Sequence, residues 1–324
     1  MKHLCLVADI GGTNSRYALC HSGSLDLHKP RKLPNCDFAT LEDSIAHYLE
    51  MVEEHPSRAC LAVAGPVTGD SVRLTNIDWT FSQAALRERF HFQRLNVTND
   101  FTALAMAVPH IPPHRIIVNG GQEPIPQQPI AVLGPGTGLG VSGLIWGGKH
   151  WVPLQGEGGN TSFSPGNAKE IELLRYAHGH HDYVRAEHFI SGSGMGFLHQ
   201  ALAVIEGRVP EILTNDEITR RGLSGESAHC TETLHVFCGM LGSFAGDQAL
   251  ALGARGGVFI GGGVVPILGE FFFKSPFRER FEAKGKFADY VKPIPTYVML
   301  SFTEMALIGA ASLLHNSEEY AHVA

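Results

Sequence analysis

Short apolar runs alternate with amphipathic segments along the first third of the chain, an alternation typical of strands followed by helices. Residues 4–10 and 16–20 are apolar runs joined by a short turn, so we expect an antiparallel pair, with a third strand leading toward Lys32. Residues 40–55 carry apolar side chains at helical spacing, and Thr40 is placed to cap them. Further strands are predicted at 59–64, 72–76 and 95–98, and further helices at 82–90 and 99–108. The pattern predicts a mixed α/β domain.

A second α/β pattern follows a segment rich in proline and polar residues, 109–128, which is the best candidate for a domain boundary. A strand begins at Ile130, and residues 186–190 begin a short element. The long apolar segment 231–252 predicts a helix that Gly253 ends. Other elements are predicted as a helix at 168–177, a buried strand at 257–260, a helix starting near Val265 and a final helix at 305–314.

Two glycine-rich turns each lie between two of the predicted strands. The first is Asp9-Ile10-Gly11-Gly12-Thr13-Asn14, and the second is Gly134-Pro135-Gly136-Thr137-Gly138. A strand, a Gly/Thr turn and a second strand form a hairpin whose backbone N–H groups and Thr hydroxyl can face phosphate oxygens. Glycine is needed there because the backbone must approach the phosphate closely. The repetition predicts two related half-structures that act on one nucleotide.

Two other phosphate-binding motifs are excluded. A P-loop needs a Lys-Ser/Thr ending that neither turn carries. A dinucleotide fingerprint needs a third glycine where this chain has Leu139 or Val141, depending on the starting glycine. A single turn of this kind is equally typical of a plain tight hairpin, and only the pair, with Asp9 beside the first turn, favours the nucleotide interpretation.

Composition narrows the class of partner. The formal charge of −7 and the lack of a basic cluster argue against nucleic acid. No apolar run reaches the length of a membrane span, and the N-terminus reaches Asp9 too soon for a signal peptide, so we expect a cytoplasmic protein with no membrane partner. The six scattered cysteines predict free thiols. The histidine-containing run 178–182 is more typical of a solvated loop than of a metal site, and no metal-binding side chains are predicted.

Three carboxylates are the candidates for chemistry. Asp100 lies where a predicted strand gives way to a helix, the place where open α/β sheets bind ligands, and its carboxylate could accept a proton from a hydroxyl group. The alternative is that Asn99 and Asp100 only cap the helix. Glu157, flanked by glycines, and Glu187 suit a polyhydroxylated sugar together with asparagine amides, although a lone glutamate is usually a solvated surface charge.

With these residues in view, the chain resembles the bacterial glucokinases of the hexokinase/actin-like superfamily, in the proteobacterial type that lacks the zinc motif of the repressor branch. The similarity runs in order over nearly the whole chain. Residues 9–14 and 133–140 resemble the two phosphate segments, and 98–101 resembles the catalytic segment. Similarity to the family's sugar-binding elements lies at 64–67, 74–76, 156–159 and Glu187. Similarity to its nucleoside-binding segment lies at 257–266.

The resemblance implies a two-domain actin-like/hexokinase (ribonuclease H-like) α/β fold with a ligand cleft between domains. It implies a small domain at 1–110, with a C-terminal helix at about 302–324 packing back on it, and a large domain at 111–301. It also implies a cytoplasmic homodimer that uses ATP and Mg²⁺ to phosphorylate glucose at the entry of glycolysis. Asp100 would be the catalytic base. The implied sugar ligands are Asn76, Asn99, Asp100, Glu157, Asn160 and Glu187. The implied nucleotide ligands are Asp9, Gly11, Gly12, Thr13, Asn14, Gly134, Gly136, Thr137, Gly138, Gly261 and Gly262.

The chain departs from the family pattern after Gly159. Relatives usually have His, a hydrophobic residue and Asp, where this chain has Asn160, Thr161 and Ser162. Residues 302–305 also replace the family's usual Asn-Pro-Gly turn. Asparagine donates and accepts hydrogen bonds but is shorter than histidine and never cationic. Two alternatives therefore stay open: a kinase for another hexose or an N-acyl hexosamine, and a non-catalytic sugar-binding regulator.

Overall fold

The computed structural model describes residues 3–300 and 303–320. The described residues form two compact units. Unit 1 contains the chain up to Pro112, the segment Gly147–Gln155 and the C-terminal helix, and unit 2 contains Pro113–Trp146 and Gly156–Leu300. Among the described residues, no helix is both long enough and apolar enough to cross a bilayer.

Unit 1 is built on a five-stranded sheet with the order β3-β2-β1-β4-β7 and on a small hairpin of β5 and β6. Its strands are β1 (Leu4–Ile10), β2 (Asn14–His21), β3 (His28–Pro34), β4 (Arg58–Val63), β5 (Ser71–Arg73), β6 (Thr80–Ser82), β7 (Arg94–Asn99) and β11 (Trp151–Gln155). Its helices are α1 (Leu41–Val52), α2 (Gln83–Arg89), α3 (Asp100–Ala107) and α12 (Thr303–Tyr320).

Strand β1 is buried on both faces because two separate cores cover it. Its even-numbered side chains, Leu6, Ala8 and Ile10, belong to the core that includes α1. Cys5 and Val7 point to the other core, which includes α12. Because side chains alternate between the two faces of a strand and both faces are covered, residues 5–8 are apolar throughout rather than alternating.

Helix α1 shows how local sequence sets an element's ends. The Thr40 side chain accepts a hydrogen bond from the Asp43 N–H, as the capping pattern predicts. The helix ends earlier than predicted, since Glu53 adopts a left-handed conformation with φ of 55°.

Unit 2 has strands hydrogen-bonded in the order β10-β9-β12-β13-β8. These strands are β8 (Ile116–Val118), β9 (Ile130–Pro135), β10 (Leu139–Trp146), β12 (Val258–Ile260) and β13 (Thr296–Met299). Its helices are α4 (Ala168–His178), α5 (Gly192–Ile205), α6 (Asn215–Ser224), α7 (Ala228–Leu252), α8 (Val264–Leu268), α9 (Glu270–Lys274), α10 (Phe277–Glu282) and α11 (Ala288–Val291).

Helix α7 is the centre of the unit 2 core, to which it contributes residues such as Leu234, Phe237 and Leu241. Ser227 caps its start, and Gly253 ends it in a left-handed conformation with φ of 60°, as predicted.

Several predicted elements differ from the observed ones. The segment predicted as a strand at 72–76 is a strand only over Ser71–Arg73, which is β5. The chain then turns back, and β6 pairs with β5. Residues 186–190 contain a single 3₁₀ turn, Ala186–His188. Helices α5 and α6 were not predicted at all. The predicted helix at 305–314 is α12, and residues 302 and 321–324 of the longer C-terminal segment lie outside the described residues.

Candidate functional site

In unit 1 the carboxyl ends of three parallel strands bring the predicted residues to one edge of the sheet. Asp9 on β1 aligns with Ala62 on β4, and Ala62 aligns with Thr98 on β7. The segments that follow these strands therefore leave the sheet side by side, at the edge where α/β sheets bind ligands. This places the first glycine-rich turn at the same edge of the sheet as Asn99 and Asp100, with the end of β4 between them.

The first turn closes the β1–β2 hairpin. The Gly11 N–H donates to the Asn14 carbonyl over 3.1 Å, so this N–H shapes the turn itself. Gly12 lies against Asn76, since a Cβ added at Gly12 would lie 2.6 Å from the Asn76 Cβ. Thr13 is exposed at the tip. The structure thus brings a predicted nucleotide residue and a predicted sugar residue into contact.

The turn is held by Asn35, which sequence reasoning missed. Asn35 is buried in a 3₁₀ turn, Asn35–Asp37, and its Nδ2 donates to the Gly11 carbonyl over 2.8 Å. Its backbone N–H donates to the Thr13 carbonyl over 2.9 Å, and its Oδ1 accepts from the Ser15 hydroxyl over 2.7 Å. A buried polar side chain with several partners fixes the backbone it contacts. No local pattern marks Asn35, because its partners lie at least twenty positions away.

Asp9 is the buried charge beside this turn. Its side chain is 8% exposed, and its carboxylate lies 3.3 Å from the Arg16 guanidinium. Burial raises the pKa of Asp9 to about 6, and the neighbouring Arg16 limits the rise. The carboxylate is therefore ionised at neutral pH and becomes protonated in mildly acidic solution.

Asn99 and Asp100 begin helix α3. The Asn99 Oδ1 accepts from the Phe101 N–H over 2.8 Å, so Asn99 is the N-cap, and its Nδ2 donates to the Gly65 carbonyl over 3.3 Å. The Asp100 carboxylate also accepts from the Phe101 N–H, over 2.8 Å, and the residue is half-buried. Capping and chemistry are compatible here, because a carboxylate held by a backbone donor keeps its other oxygen oriented.

A concavity of about 720 Å³ lies in unit 1 between Pro66 and Asp78. It is lined by Asn76 and by its neighbours in the loop that follows β5. Its lining combines polar side chains such as Thr75 and Asn76 with apolar ones such as Leu74 and Ile77.

In unit 2 the second glycine-rich turn closes the β9–β10 hairpin. The Gly136 N–H donates to the Gly138 carbonyl over 2.8 Å, in the same way as Gly11 in the first turn. Gly134 lies against the loop after β12, since a Cβ added there would lie 2.2 Å from the Gly261 carbonyl oxygen. Gly262 has φ of 81° and lies against the Pro135 carbonyl, so only glycine fits. The predicted residues of 134–138 and 261–262 are therefore in direct contact.

Glu187 is bound to this same turn. Its Oε2 accepts from the Leu139 N–H over 2.8 Å, and a Cβ added at Gly138 would lie 2.5 Å from that oxygen. A predicted sugar ligand therefore contacts the predicted phosphate segment of unit 2.

The N-terminus of helix α5 also contacts the second turn. The Gly192 N–H donates to the Gly136 carbonyl over 2.7 Å, and the Ser193 hydroxyl donates to the Thr137 carbonyl over 2.6 Å. A cavity of about 270 Å³ adjoins these residues. Its remaining walls are apolar and polar side chains of α5, α6 and α8: Met195, Asn215, Asp216, Thr219, Val264 and Ile267. Sequence reasoning missed this cavity because it missed α5 and α6.

The loop after β11 brings Glu157 and Asn160 together. The Asn160 Nδ2 donates to Glu157 Oε2 over 3.3 Å, and its Oδ1 accepts from the Arg185 guanidinium over 2.6 Å. The same guanidinium lies 3.7 Å from Glu187 Oε1. Thus Glu157, Asn160 and Glu187, all predicted as sugar ligands, form one polar cluster with Arg185, which was not predicted.

Desolvation raises the pKa of Glu157 above its ordinary value, the hydrogen bond from Asn160 opposes the rise and the neighbouring Glu187 adds to it. Thr161 and Ser162 bond to protein groups. The Thr161 hydroxyl donates to the Gly158 carbonyl over 2.8 Å, and the Ser162 hydroxyl donates to the Tyr183 oxygen over 3.1 Å. Both residues therefore shape the loop.

Unit 2 contains two other polar groups: a group of histidines, of which His188 contacts Arg185, and a group of two glutamates and a histidine. The His181 and His188 rings stack with centroids 3.9 Å apart, and His180 bonds to the Tyr176 carbonyl. Glu206, His229 and Glu232 offer ligand atoms within 4.8 Å of one another. Lys169 bridges the two carboxylates of this second group, and Arg208 contacts Glu206 and His229, so its charges are already paired.

Comparison with solved structures assigns the fold. A glucokinase from an Antarctic psychrotroph matches with a TM-score of 0.87 and 38% identity, over 97% of this chain and 99% of that one. A ROK-family glucokinase from Streptomyces griseus, solved with glucose and AMPPNP, matches with a TM-score of 0.64 over 96% and 98%; at 17% identity it shows the fold alone. The protein has the hexokinase/actin-like fold of sugar kinases, which confirms the predicted fold class.

Comparison of sequences gives the particular family. The family model "Glucokinase" matches residues 6–317. A curated glucokinase of Chromobacterium violaceum is 45% identical over 310 residues, which cover 95% of this chain and 88% of that protein. The chain belongs to the glucokinase family, as the resemblance predicted.

Proposed function

We propose that this protein transfers the γ-phosphoryl group of ATP to the 6-hydroxyl of glucose, forming glucose 6-phosphate and ADP. The observation that carries the proposal is the carboxyl edge of the unit 1 sheet. There the glycine-rich turn touches Asn76, and Asn99 and Asp100 lie at the end of β7, the next strand but one in the sheet. Membership of the glucokinase family supports the choice of reaction.

Asp100 is the proposed base. Its carboxylate accepts the proton of the sugar 6-hydroxyl as that oxygen bonds to the γ-phosphorus and the bond from phosphorus to the β-phosphate oxygen breaks. The backbone donor at Phe101 holds the carboxylate in place without neutralising it.

The two glycine-rich turns are the proposed phosphate sites. The N–H groups of Gly12, Thr13, Thr137 and Gly138 and the two threonine hydroxyls suit phosphate oxygens, whereas Gly11, Asn14, Gly134 and Gly136 shape the turns. Mg²⁺ would arrive with ATP and neutralise charge on the transferred group. A carboxylate oxygen suits this cation, and Asp9 is ionised at neutral pH, so Asp9 is its proposed contact in the protein.

The cavity beside α5 is the proposed adenosine site. It adjoins Gly136 and Thr137, it combines the apolar Val264 and Ile267 with polar side chains, and Gly261 and Gly262 lie directly behind the turn. A flat apolar base with a polar ribose matches such a lining.

The sugar hydroxyls would bond to Asn76 and Asn99 in unit 1 and to Glu157, Asn160 and Glu187 in unit 2. Carboxylates and amides supply the acceptors and donors that a hexose needs. The relatives at 45% identity are named as glucokinases, which favours glucose over another hexose and favours an enzyme over a regulator.

We further propose that the protein works in the cytoplasm at the entry of glycolysis, as a homodimer. Residues 1–110 with about 302–324, and residues 111–301, are proposed as its two domains.

A coupled assay of ADP release with MgATP and a panel of hexoses tests this function. We expect selective turnover of glucose over mannose, glucosamine and N-acetylglucosamine, because a site built to hydrogen-bond particular substrate groups rejects a wrong substituent by large factors. Turnover of another hexose but not of glucose would show that the other hexose is the substrate. Sugar binding without ADP release would show that the protein is a sugar-binding regulator and not a kinase.

Replacing Asp100 tests the mechanism. Asp100→Ala is expected to lower kcat for glucose by about 10²-fold or more, because it removes the proton acceptor. Asp289→Ala, at an exposed position on α11, is the matched control and should leave kcat unchanged. Near-normal turnover by Asp100→Ala would exclude the proposed role.

A further inference from the structure

Arg185 has a position in unit 2 that the proposed function leaves unexplained. It directly precedes the 3₁₀ turn that carries Glu187, and its side chain is 36% exposed. Its Nη1 donates to Asn160 Oδ1 over 2.6 Å and lies 3.7 Å from Glu187 Oε1. One cation thus touches two of the proposed sugar ligands.

The contact fixes how Asn160 presents its amide. An arginine carries only donors, so the atom of Asn160 that faces it must be the carbonyl oxygen. The Nδ2 group is then left to face Glu157, to which it donates over 3.3 Å. The Glu157 carboxylate, which accepts from Nδ2, favours the same orientation, so Arg185 and Glu157 hold the amide from opposite ends. Arg185 contributes the charge-assisted contact at the carbonyl end.

Arg185 also balances charge within the cluster. Glu157 and Glu187 lie close enough for one to disfavour ionisation of the other. The guanidinium adds a positive charge between the loop of Asn160 and the turn of Glu187, and a charge-assisted contact is stronger than a neutral one. His188 packs against the same guanidinium, with its Nε2 3.1 Å from Arg185 Nε, which holds the arginine side chain in this direction.

Backbone contacts hold this segment independently of the guanidinium. Arg185 forms a β-bridge with Ser162, the Ala186 N–H donates to the Thr161 carbonyl over 2.9 Å, and the Phe163 N–H donates to the Val184 carbonyl over 2.9 Å. These two segments therefore stay paired whatever the side chain at position 185. A substitution of Arg185 can thus test a role in sugar binding without unfolding this part of the chain.

We propose that Arg185 is a positioning residue for the hexose, which orients the amide of Asn160 and the carboxylate of Glu187 so that both face the sugar. The inference rests on the proposed function.

A double-mutant cycle on the full-length protein tests the inference, with the variants Arg185→Ala, Asn160→Ala and both together. Arg185→Ala is expected to raise KM for glucose about tenfold, the effect of losing a charge-assisted contact, while kcat and KM for ATP stay within about twofold. In the Asn160→Ala background the same change should raise KM by well below about tenfold, because one of its two targets is gone and only the contact with Glu187 remains. Arg185→Lys keeps the charge and should recover part of the affinity.

Arg175→Ala is the matched control, since Arg175 is an exposed arginine of unit 2 that pairs only with Glu172 on the same helix in the described structure. Thermal unfolding of each variant checks folding. Equal rises in KM from Arg185→Ala with and without Asn160, or an unchanged KM, would overturn the inference while the kinase activity stands. A wild-type protein that neither phosphorylates nor binds glucose would instead refute the proposed function itself.

Discussion

At the scale of single residues, Asp9 shows a conflict between stability and function. A carboxylate with a side chain 8% exposed costs free energy when it is ionised, and Arg16 offsets only part of this cost. Selection for stability alone would favour a neutral residue at this position. A charged side chain next to the first glycine-rich turn is explained by a cation that it must bind.

Asp9→Asn should therefore stabilise the free protein and impair its use of MgATP. The pKa of Asp9 rises from 3.8 to about 6 on folding, which corresponds to about 3 kcal/mol at most. A group with a raised pKa stabilises the folded state fully below the unfolded value, and this stability is lost as the pH rises through the folded value. We expect Asp9→Asn to gain stability over the wild type as the pH is raised from 5 to 7, measured by urea unfolding at each pH.

The same variant should raise KM for MgATP with little change in KM for glucose. Asp289→Asn, at an exposed position, serves as the control for both measurements. A stability difference that does not change between pH 5 and 7 would show that the ionisation of Asp9 is not the source of the cost.

At the scale of elements, the first glycine-rich turn depends on a separate 3₁₀ turn. Asn35 bonds to the carbonyls of Gly11 and Thr13 and to the Ser15 hydroxyl, so the hairpin tip is held from three sides. A phosphate site needs such support, since its backbone donors must point the right way before the ligand arrives.

Asn35→Ala is expected to destabilise the protein by about 2 to 3 kcal/mol, because it leaves the Gly11 carbonyl and the Ser15 hydroxyl without their buried partner. KM for ATP should rise as the turn loosens. Asn167→Ala is the matched control: Asn167 caps α4, so its loss should cost about 1 kcal/mol and leave KM for ATP unchanged. A normal KM for ATP in a folded Asn35→Ala protein would show that the turn holds its shape alone.

The elements also show which parts of the fold can be predicted from sequence. The two hairpins and helix α7 were predictable because their signals are local: apolar runs, glycine at the turns, Gly253 at a helix end. Helix α5 was missed because Gly192, Gly194 and Gly196 in its first turns are typical of a loop. Tertiary contacts require these glycines instead, since a Cβ at Gly192 would lie 2.7 Å from the Gly136 carbonyl oxygen.

The same distinction applies to the candidate site. Asp9, Asp100 and Glu157 each follow a strand or adjoin glycines, which local sequence shows. Asn35 acts on residues twenty or more positions away and Arg185 contacts Asn160 at a similar distance in the sequence, and nothing near either residue in the sequence reveals these contacts. Asn76 and Asn160 were reached only through the family resemblance.

At the scale of the whole molecule, each unit has its own core and its own share of the proposed sugar ligands. The core of unit 2 is built around α7, and the cores of unit 1 cover the two faces of β1. A sugar that binds only the folded protein must stabilise it in proportion to the logarithm of its concentration. Thermal unfolding therefore reports binding without any catalytic turnover.

In the absence of nucleotide, glucose at 100 times its dissociation constant should stabilise the protein by about 2.7 kcal/mol and raise Tm by about 5 °C. Asn76→Ala in unit 1 and Glu157→Gln in unit 2 should each reduce this rise at the same glucose concentration, because the first removes a proposed hydroxyl contact and the second removes the charge that strengthens one. Glu172→Gln on the exposed side of α4 is the control and should keep it in full. Sorbitol, a polyol of similar size without a ring, measures the effect of the cosolute alone. If glucose and sorbitol raise Tm equally, no specific sugar site exists; if only one of the two variants loses the response, the sugar contacts lie in one unit, and the other unit serves the nucleotide.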